Sequence, residues 1–200
     1  MDTLLSTPLA DLPVAAIDFE SAGAAPGETD QPVQVGIVRC SRLLGAWEDC
    51  RFFSSYIACD HPVRWSAAKV HGITTEMLAD APAFPALWPE LKTHLSGCCV
   101  VGHNPSTEQR FLRAFPGHGF GPWLDTLALS RLALPGLGDY SLSSVCTALG
   151  QQETLTRLLP ARRWHDALYD ALGSLLILRC LTEALNMQQV PLSALPGRTD

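Results

Sequence analysis

The apolar positions of this chain alternate in its first quarter and later fall into short runs separated by helical spacing. Alternation is typical of half-buried strands, and short apolar runs before polar residues are typical of strands buried on both faces. The pattern predicts five strands, at 14–20, 33–40, 43–53, 98–102 and 123–125.

Helical spacing is clearest near the C-terminal end, where leucines and alanines recur three or four positions apart from about residue 166 to 185. The chain also suits helical turns or helices at 66–70, 75–79, 84–95, 106–115, 126–133 and 141–149. Strands first, then alternating strands and helices, predict an α/β protein with a mixed five-stranded sheet and helices on both faces.

The length of 200 residues favours one domain, because domains average roughly 150 residues. We place this domain at 14–186, with an N-terminal extension at 1–13 and a C-terminal tail at 187–200, both expected at the surface. No apolar stretch approaches the ~18 residues of a membrane span, and the chain starts without the basic residues of a signal peptide. We therefore expect a cytoplasmic protein with no membrane partner.

Cysteine content and net charge narrow the function further. The seven cysteines are odd in number and include no Cys-x-x-Cys pair, which argues against a disulfide framework or a zinc knuckle, so we expect them to be reduced. The net charge of -6 has the wrong sign for holding polyanions by bulk electrostatics. Any contact with nucleic acid must therefore be local.

Two carboxylates, Asp18 and Glu20, lie two positions apart on the first predicted strand, so both project from one face while Phe19 points to the other. Neighbouring carboxylates repel each other when buried, and a divalent cation would remove that repulsion. The alternative is a solvated strand face or a turn cap. The metal interpretation gains support because an apolar run precedes the pair and a glycine-bearing loop follows it.

Two further acidic clusters have plain structural explanations when each is taken alone. Glu108 falls in the first turn of a predicted helix, where the helix dipole favours an anion and Ser106 could be the cap. His165 and Asp170 are five positions apart, about 140° around a regular helix. They can converge only if His165 lies in the loop before the helix, with Asp166 as cap or first-turn residue.

Taken together, three segments resemble the three motifs of the DEDDh group of 3′-to-5′ exonucleases. The segments are Asp18-Phe-Glu20, His103-Asn-Pro-Ser-Thr-Glu108 and His165-Asp-Ala-Leu-Tyr-Asp170. These enzymes are relatives of the proofreading subunit of bacterial DNA polymerase III and have a ribonuclease H-like fold. The segments 70–74, 125–131 and 140–142 also resemble stretches between those motifs, and the likeness covers roughly 14–185.

The resemblance implies two divalent cations, Mg²⁺ or Mn²⁺, held by Asp18, Glu20, Glu108 and Asp170. It also implies that His165 is the general base, since imidazole accepts protons near neutral pH. The expected reaction releases nucleoside 5′-monophosphates one at a time from a 3′ end. Glu108 stands where the family usually has aspartate and is longer by about 1.5 Å, so we expect the backbone to retreat or Mn²⁺ to be preferred.

Residues expected around the substrate are Phe19, Ser21, Gly23, His71, Gly72, His103, Asn104 and Arg163. Arg163 is included because it immediately precedes the segment of the proposed base, where a guanidinium group could meet a phosphate. The family usually has threonine where this chain has Phe19 and Ser21. The pair His103 and Asn104 could instead cap a strand end, and Gly72 could be an ordinary helix C-cap. Trp164 could stack on a base, although packing in the core is favoured slightly.

Three classes of function follow from these observations. The leading class is a metal-dependent exonuclease acting on 3′ ends of single-stranded DNA or RNA. Some members of the family form homodimers, so the resemblance also makes a homodimer possible. The second is a catalytically weak module of the same fold that binds 3′ ends. The third is an unrelated structural α/β protein with solvated carboxylates.

Overall fold

The computed structural model describes residues 2–196 and 198–199, and its centre is a single mixed sheet. In this described part of the chain the strands are β1 (Val14–Ser21), β2 (Pro32–Cys40), β3 (Cys50–Tyr56), β4 (Cys99–Gly102), β5 (Trp123–Asp125) and β6 (Arg198–Thr199). Their order is β3-β2-β1-β4-β5-β6. Strand β1 is antiparallel to β2 and parallel to β4, so the predicted mixed sheet is confirmed. The two-residue β6 adds an edge that the sequence pattern did not predict.

Helices cover both faces of this sheet, as predicted. They are α1 (Asp2–Ser6), α2 (Trp65–His71), α3 (Trp88–Leu95), α4 (Ser106–Leu112), α5 (Thr126–Ala133), α6 (Leu142–Ala148), α7 (Gln152–Leu158) and α8 (Ala167–Ala184). Short 3₁₀ helices lie at Leu9–Asp11, Trp47–Asp49, Glu76–Leu78, Phe84–Leu87 and Leu192–Ala194. The short helices α1 and α7 were not predicted.

Two secondary-structure predictions need correction. The third strand begins at Cys50 and not at 43, because the residues before it form a turn and a 3₁₀ helix. The predicted helix over 84–95 is a 3₁₀ turn followed by α3, with Pro85 and Pro89 each near the start of one of these elements. Proline fits the first turn of a helix because the amide it lacks would have no partner there.

The two larger hydrophobic cores of the described residues flank the sheet, and β1 contributes to both. Val14 and Ala16 pack into the core that contains α8, whereas Ala15, Ile17 and Phe19 pack into the core that contains α3 and α4. Successive side chains of a strand point to opposite faces, so the residues after Ala16 at spacing two project toward the α8 side. This alternation determines which face receives the acidic pair.

Both ends of the chain pack more closely than expected. Leu9, Leu12 and Leu192 have no exposed surface, and Leu195 is 7% exposed. Backbone hydrogen bonds also join the two ends, since the Leu9 amide donates to the carbonyl of Val190 at 2.9 Å. The prediction that both ends are surface extensions is therefore wrong for these leucines, which add apolar area to the α8 core.

The cysteines are not all reduced, contrary to the prediction. Cys40 and Cys50 form a disulfide, because the β2–β3 register places them directly opposite each other with Cα atoms 4.3 Å apart. The free cysteines are Cys59, Cys98, Cys99, Cys146 and Cys180. Spacing alone did not reveal this register.

Among the described residues, no helix combines the length and apolar character needed to cross a bilayer. The cytoplasmic localisation stays a prediction.

Candidate active site

The acidic pair lies near the C-terminal end of β1, in the middle of the sheet. Asp18 is opposite Gly36 of β2, and Glu20 is opposite Gln34. Both carboxylates are half-buried and lie on the face that α8 covers. The pairing of β1 and β2 changes register between Glu20 and Ser21, so the regular ladder ends immediately beyond the pair.

Helix α8 begins directly above this pair because Gly36 has no side chain. A Cβ atom at this glycine would lie 2.1 Å from the amide nitrogen of Leu168, which is closer than any packed side chain allows. The helix N-terminus can therefore rest on the backbone of β2. This close approach positions the first-turn residue Asp170 over the sheet.

His165 lies in the loop just before α8, with a φ angle of 66° in the left-handed region. Its backbone amide donates to both carboxylate oxygens of Asp170 at 3.3 Å each. As a result, ligand atoms of Glu20, His165 and Asp170 all lie within 4.8 Å of one another. His165 therefore lies before the helix, as its convergence with Asp170 requires. Its side chain is exposed at the edge of the acidic cluster.

Glu108 comes to the pair from a different element, the first turn of α4. It is 5% exposed, and the backbone of Phe19 hydrogen-bonds to its carboxylate. Ser106 does not cap this helix, since it is the first helical residue and its hydroxyl contacts the Asn104 side chain. Among neighbouring charges, Glu108 has the largest influence on Asp18. Glu108 and Asp18 are thus close neighbours outside the tighter group around His165.

Burial and mutual repulsion disfavour ionisation of the carboxyl groups in this acidic cluster. Burial, followed by repulsion from Glu108, raises the pKa of Asp18 well above its ordinary value. Burial also raises the pKa of Glu108 to about 7, and burial with a smaller contribution from Asp166 raises that of Glu20 to about 7. For Asp170, burial and then Glu20 raise the pKa to about 8. Carboxylate oxygens gathered in this way suit hard divalent cations, which would stabilise the ionised forms.

A supporting network around Asp166 holds the start of α8 in place. The Asp166 carboxylate caps the helix by accepting from the amides of Leu168 and Tyr169 at 3.1 and 3.3 Å. It also pairs with Arg162 at 2.6 Å and accepts from the Gln34 amide at 3.1 Å. Gln34, which is 4% exposed, was not predicted to belong to the site, and neither was Gly36. A glutamine and a glycine inside an otherwise apolar strand were the signals available.

Comparisons with known proteins agree with this geometry. The sequence model of the exonuclease family matches residues 15–178. The chain belongs to the exonuclease family. It is 30% identical to a DNA polymerase III subunit epsilon-like protein of Rhodobacter capsulatus and to a PolC-type DNA polymerase III of Thermotoga maritima, with 86% and 80% of this chain covered. These alignments span 24% and 11% of the two relatives, so the chain covers about a quarter or less of their length.

Solved structures show the same fold for this exonuclease-family chain. Exonuclease X in complex with 5′ overhanging duplex DNA superposes with a TM-score of 0.67 at 24% identity, covering 90% of this chain and 97% of the other. The nuclease domain of 3′hExo, a DEDDh family member bound to rAMP, gives 0.69 at 15% identity, covering 92% and 98%. The family recognised from the three motifs is confirmed. That Glu108 replaces the family's aspartate stays a prediction.

A cleft of ≈ 430 Å³ opens beside the acidic cluster of this exonuclease-family chain, with His71, Arg163 and His165 among its lining residues. The amide of Ile73 donates to His71 Nδ1 at 3.0 Å, so Nε2 carries the proton and donates to the carbonyl of Ser21 at 3.1 Å. Burial, and secondarily the nearby His165, lower the pKa of His71. A neutral His71 therefore ties α2 to the end of β1.

The predicted glycines also lie around this cleft. Gly72 is the left-handed C-cap of α2, with φ of 80°, and a Cβ there would lie 3.4 Å from Arg163 Nη2. Gly72 therefore both ends the helix and leaves room for the guanidinium group. Gly23, at φ 70°, lies after β1 with a Cβ position 3.4 Å from Arg64 and 3.5 Å from Ala67. It allows α2 to pack against the loop that follows the acidic pair.

The structure directs two of the predicted aromatic residues into the cores. Phe19 is 6% exposed and makes edge contacts with Phe84 and Phe111, with ring centroids 5.7 and 5.5 Å away. Only its backbone, and not its side chain, faces the acidic cluster. Trp164 packs edge-on against Tyr169 at 5.0 Å and joins the α8 core. This agrees with the packing alternative for Trp164.

His103 and Asn104 make contacts that favour the capping alternative. The His103 ring lies between the Thr126 hydroxyl at 3.0 Å and the Tyr140 carbonyl at 2.8 Å, and burial lowers its pKa. The backbone N–H of Asn104 donates to the carboxylate of Asp125 at 2.9 Å. Both ring nitrogens of His103 therefore have protein partners in the structure. These contacts join the end of β4 to the start of α5.

Proposed function

We propose that this chain is a 3′-to-5′ exonuclease that hydrolyses phosphodiester bonds at the 3′ ends of DNA or RNA and releases nucleoside 5′-monophosphates. The observation that carries the proposal is the convergence of Glu20, His165 and Asp170 within 4.8 Å. These residues come from two segments about 145 positions apart in the sequence. Membership of the exonuclease family supports the same reaction class.

The acidic residues fit a pair of divalent cations, Mg²⁺ or Mn²⁺. Asp18, Glu20 and Asp170 would hold one cation, and Asp18 with Glu108 would hold the other. When bound, such cations supply charge neutralisation at the phosphate and a more acidic water. The carboxylate oxygens of these residues are suitable ligands for such cations. Burial and mutual repulsion raise the pKa values of the acids, and a bound cation would favour their ionised forms.

The chain's own residues then position the reaction. His165 accepts the proton of the attacking water, because its exposed ring stands beside Glu20 and Asp170. The bonds from its amide to Asp170 fix the loop that carries it. Arg163 lies next to Gly72 at the cleft, where its guanidinium group can bind a phosphate of the substrate strand.

We propose single-stranded 3′ ends as the substrate class. Among proteins of the same fold, Exonuclease X was solved with 5′ overhanging duplex DNA and Escherichia coli exonuclease I with single-stranded DNA, the latter at a TM-score of 0.66. The fold neighbour 3′hExo was solved with rAMP. Because both deoxyribose and ribose ligands occur among these neighbours, matched substrates must decide the sugar preference of this chain.

The test is a ladder assay with 5′-labelled DNA and RNA oligonucleotides of the same sequence. Wild type with Mn²⁺ or Mg²⁺ should shorten the label one nucleotide at a time, and chelator should stop the reaction. His165→Ala should lose about 10²- to 10⁴-fold in rate, as expected for loss of a general base. His118→Ala, at a partly exposed histidine after α4, is the matched control and should keep the wild-type rate.

Three results would contradict the proposal. One is no shortening of either substrate under any of these conditions, even where the protein binds 3′ ends, which would make the chain a binding module. Another is internal cleavage, which would show an endonuclease. The third is an unchanged rate in His165→Ala, which would remove the general base.

A further inference from the structure

Helix α2 exposes a large aromatic side chain to solvent. Trp65 is 76% exposed, whereas Trp123 is 3% exposed and the other three tryptophans are at least partly buried. Lys69, one turn later, places its ammonium group 5.1 Å from the centre of the Trp65 ring. An indole left open in this way, with a cation against it, differs from the packing role of the other tryptophans.

This helix is part of the wall beside the acidic cluster. The Arg64 amide donates to the carbonyl of Ala22 at 2.8 Å, and His71 at the other end of α2 donates to the carbonyl of Ser21. Trp65 and His71 are six positions apart, about 9 Å along a helix. That length corresponds to between two and three stacked nucleotides at a rise of ~3.4 Å each.

Helix α2 and the residues next to it carry cations and no acidic residue, although Asp60 and Glu76 flank this segment. The segment 61–75 contains Arg64 and Lys69 and no acidic residue, although the net charge of the chain is -6. The charge of Arg64 is offset by its ion pair with Glu28 at 2.6 Å, whereas the ammonium group of Lys69 lies over the Trp65 ring. Arg163 adds a further cation next to Gly72, where α2 ends. Local positive charge beside an open ring is complementary to a strand of phosphates and bases.

We infer that Trp65 and Lys69 form a stacking platform for a base of the single strand, upstream of the 3′-terminal nucleotide. The indole would stack on the base face, and Lys69 would bind a neighbouring phosphate. This inference rests on the proposed function, because it takes the strand to end at the acidic cluster. It assigns to α2 a role in holding longer substrates.

The experiment compares a single-stranded oligonucleotide of about twelve residues with a minimal substrate, the p-nitrophenyl ester of thymidine 5′-monophosphate. Trp65→Ala should raise KM for the oligonucleotide by about 5-fold to 150-fold, as expected for loss of one base–aromatic stack, and kcat should change little. The ester, which has no upstream base, should show a much smaller change in KM. Trp65→Phe should keep most of the oligonucleotide affinity.

Leu132→Ala is the matched control, because Leu132 is an apolar side chain on α5 that is 64% exposed. It should leave KM for both substrates unchanged. Equal KM values for wild type and Trp65→Ala on the oligonucleotide would overturn the inference. An equal loss on both substrates would also overturn it, since that would indicate a general effect on α2.

A binding measurement separates this inference from the proposed function. Titration with the same oligonucleotide should quench wild-type tryptophan fluorescence, and the quench should shrink strongly in Trp65→Phe. If wild type hydrolyses neither substrate but this Trp65-dependent quench is seen, the proposed function fails while the platform stands. If hydrolysis is seen but the quench is equal in both proteins, the platform fails alone.

Discussion

The buried acids of the metal-free protein should contribute less stability as the pH rises, and Glu108→Gln should remove part of that loss. Glu108 is 5% exposed, and burial raises its pKa from 4.5 to about 7. Between these two pH values the folded protein keeps a proton that the unfolded chain has released. Stability from this group is therefore fully present below about pH 4.5 and is lost as the pH rises through about 7.

The size of the effect follows from the change in proton affinity. A tenfold change is worth ~1.4 kcal/mol, so moving the pKa of Glu108 from 4.5 to about 7 corresponds to on the order of 3 kcal/mol. Glu20 and Asp170 act in the same direction, with pKa values raised to about 7 and about 8. Glutamine has no carboxyl proton to release. The free energy of unfolding of Glu108→Gln, relative to that of wild type, should therefore increase by up to ~3 kcal/mol from about pH 4 to about pH 8.

Urea denaturation followed by tryptophan fluorescence, in chelator and across this pH range, measures the difference. Using the change with pH cancels any fixed packing difference between the two side chains. Glu48→Gln, at an exposed position, is the control and should run parallel to wild type. Parallel pH profiles for wild type and Glu108→Gln would refute the reasoning, because they would show that Glu108 ionises as freely in the fold as outside it.

Other predictions concern the start of α8 and the cation site. Gly36→Ala should cost about 3 kcal/mol or more in urea denaturation, since its Cβ would meet the Leu168 amide, whereas Gly138→Ala, with no atom within 4 Å, should cost little; equal midpoints would contradict this. Asp166→Ala should cost about 1–2 kcal/mol through the lost cap, and an unchanged midpoint would show that the cap is dispensable. Mn²⁺ at about a hundredfold excess over its Kd should stabilise wild type by ~2.7 kcal/mol and Asp18→Asn much less, measured by thermal unfolding; the same shift in both would place the cation elsewhere.

Part of this architecture is local, and the sequence pattern predicted that part. The acidic residues of β1 share one face because side chains alternate along any strand, whatever lies around them. The long apolar periodicity of α8 likewise reports a helix buried on most of its surface. The condition that His165 must precede α8 came from helix geometry alone, and the structure meets it.

What depends on strand register could not be predicted. The disulfide exists because β2 and β3 pair Cys40 with Cys50, and spacing along the chain does not determine that pairing. The roles of Gln34 and Gly36 are of the same kind, since both arise from where α8 crosses β2. The buried leucines of the two ends came from tertiary packing that short, aperiodic segments do not reveal.

The candidate site combines several features that cost stability. Buried acids with raised pKa values repel one another, His165 adopts a left-handed backbone conformation, and β2 has a glycine in its interior, which weakens a strand. Each unfavourable feature brings a group closer to Asp18 and Glu20. Because the capped start of α8 and the buried sheet hold these groups in place, the cluster is in position before a cation or a strand binds. A bound cation should therefore stabilise the ionised form of these acids, and because Asp170 lies in the first turn of α8, occupancy of the site is tied to the stability of that turn.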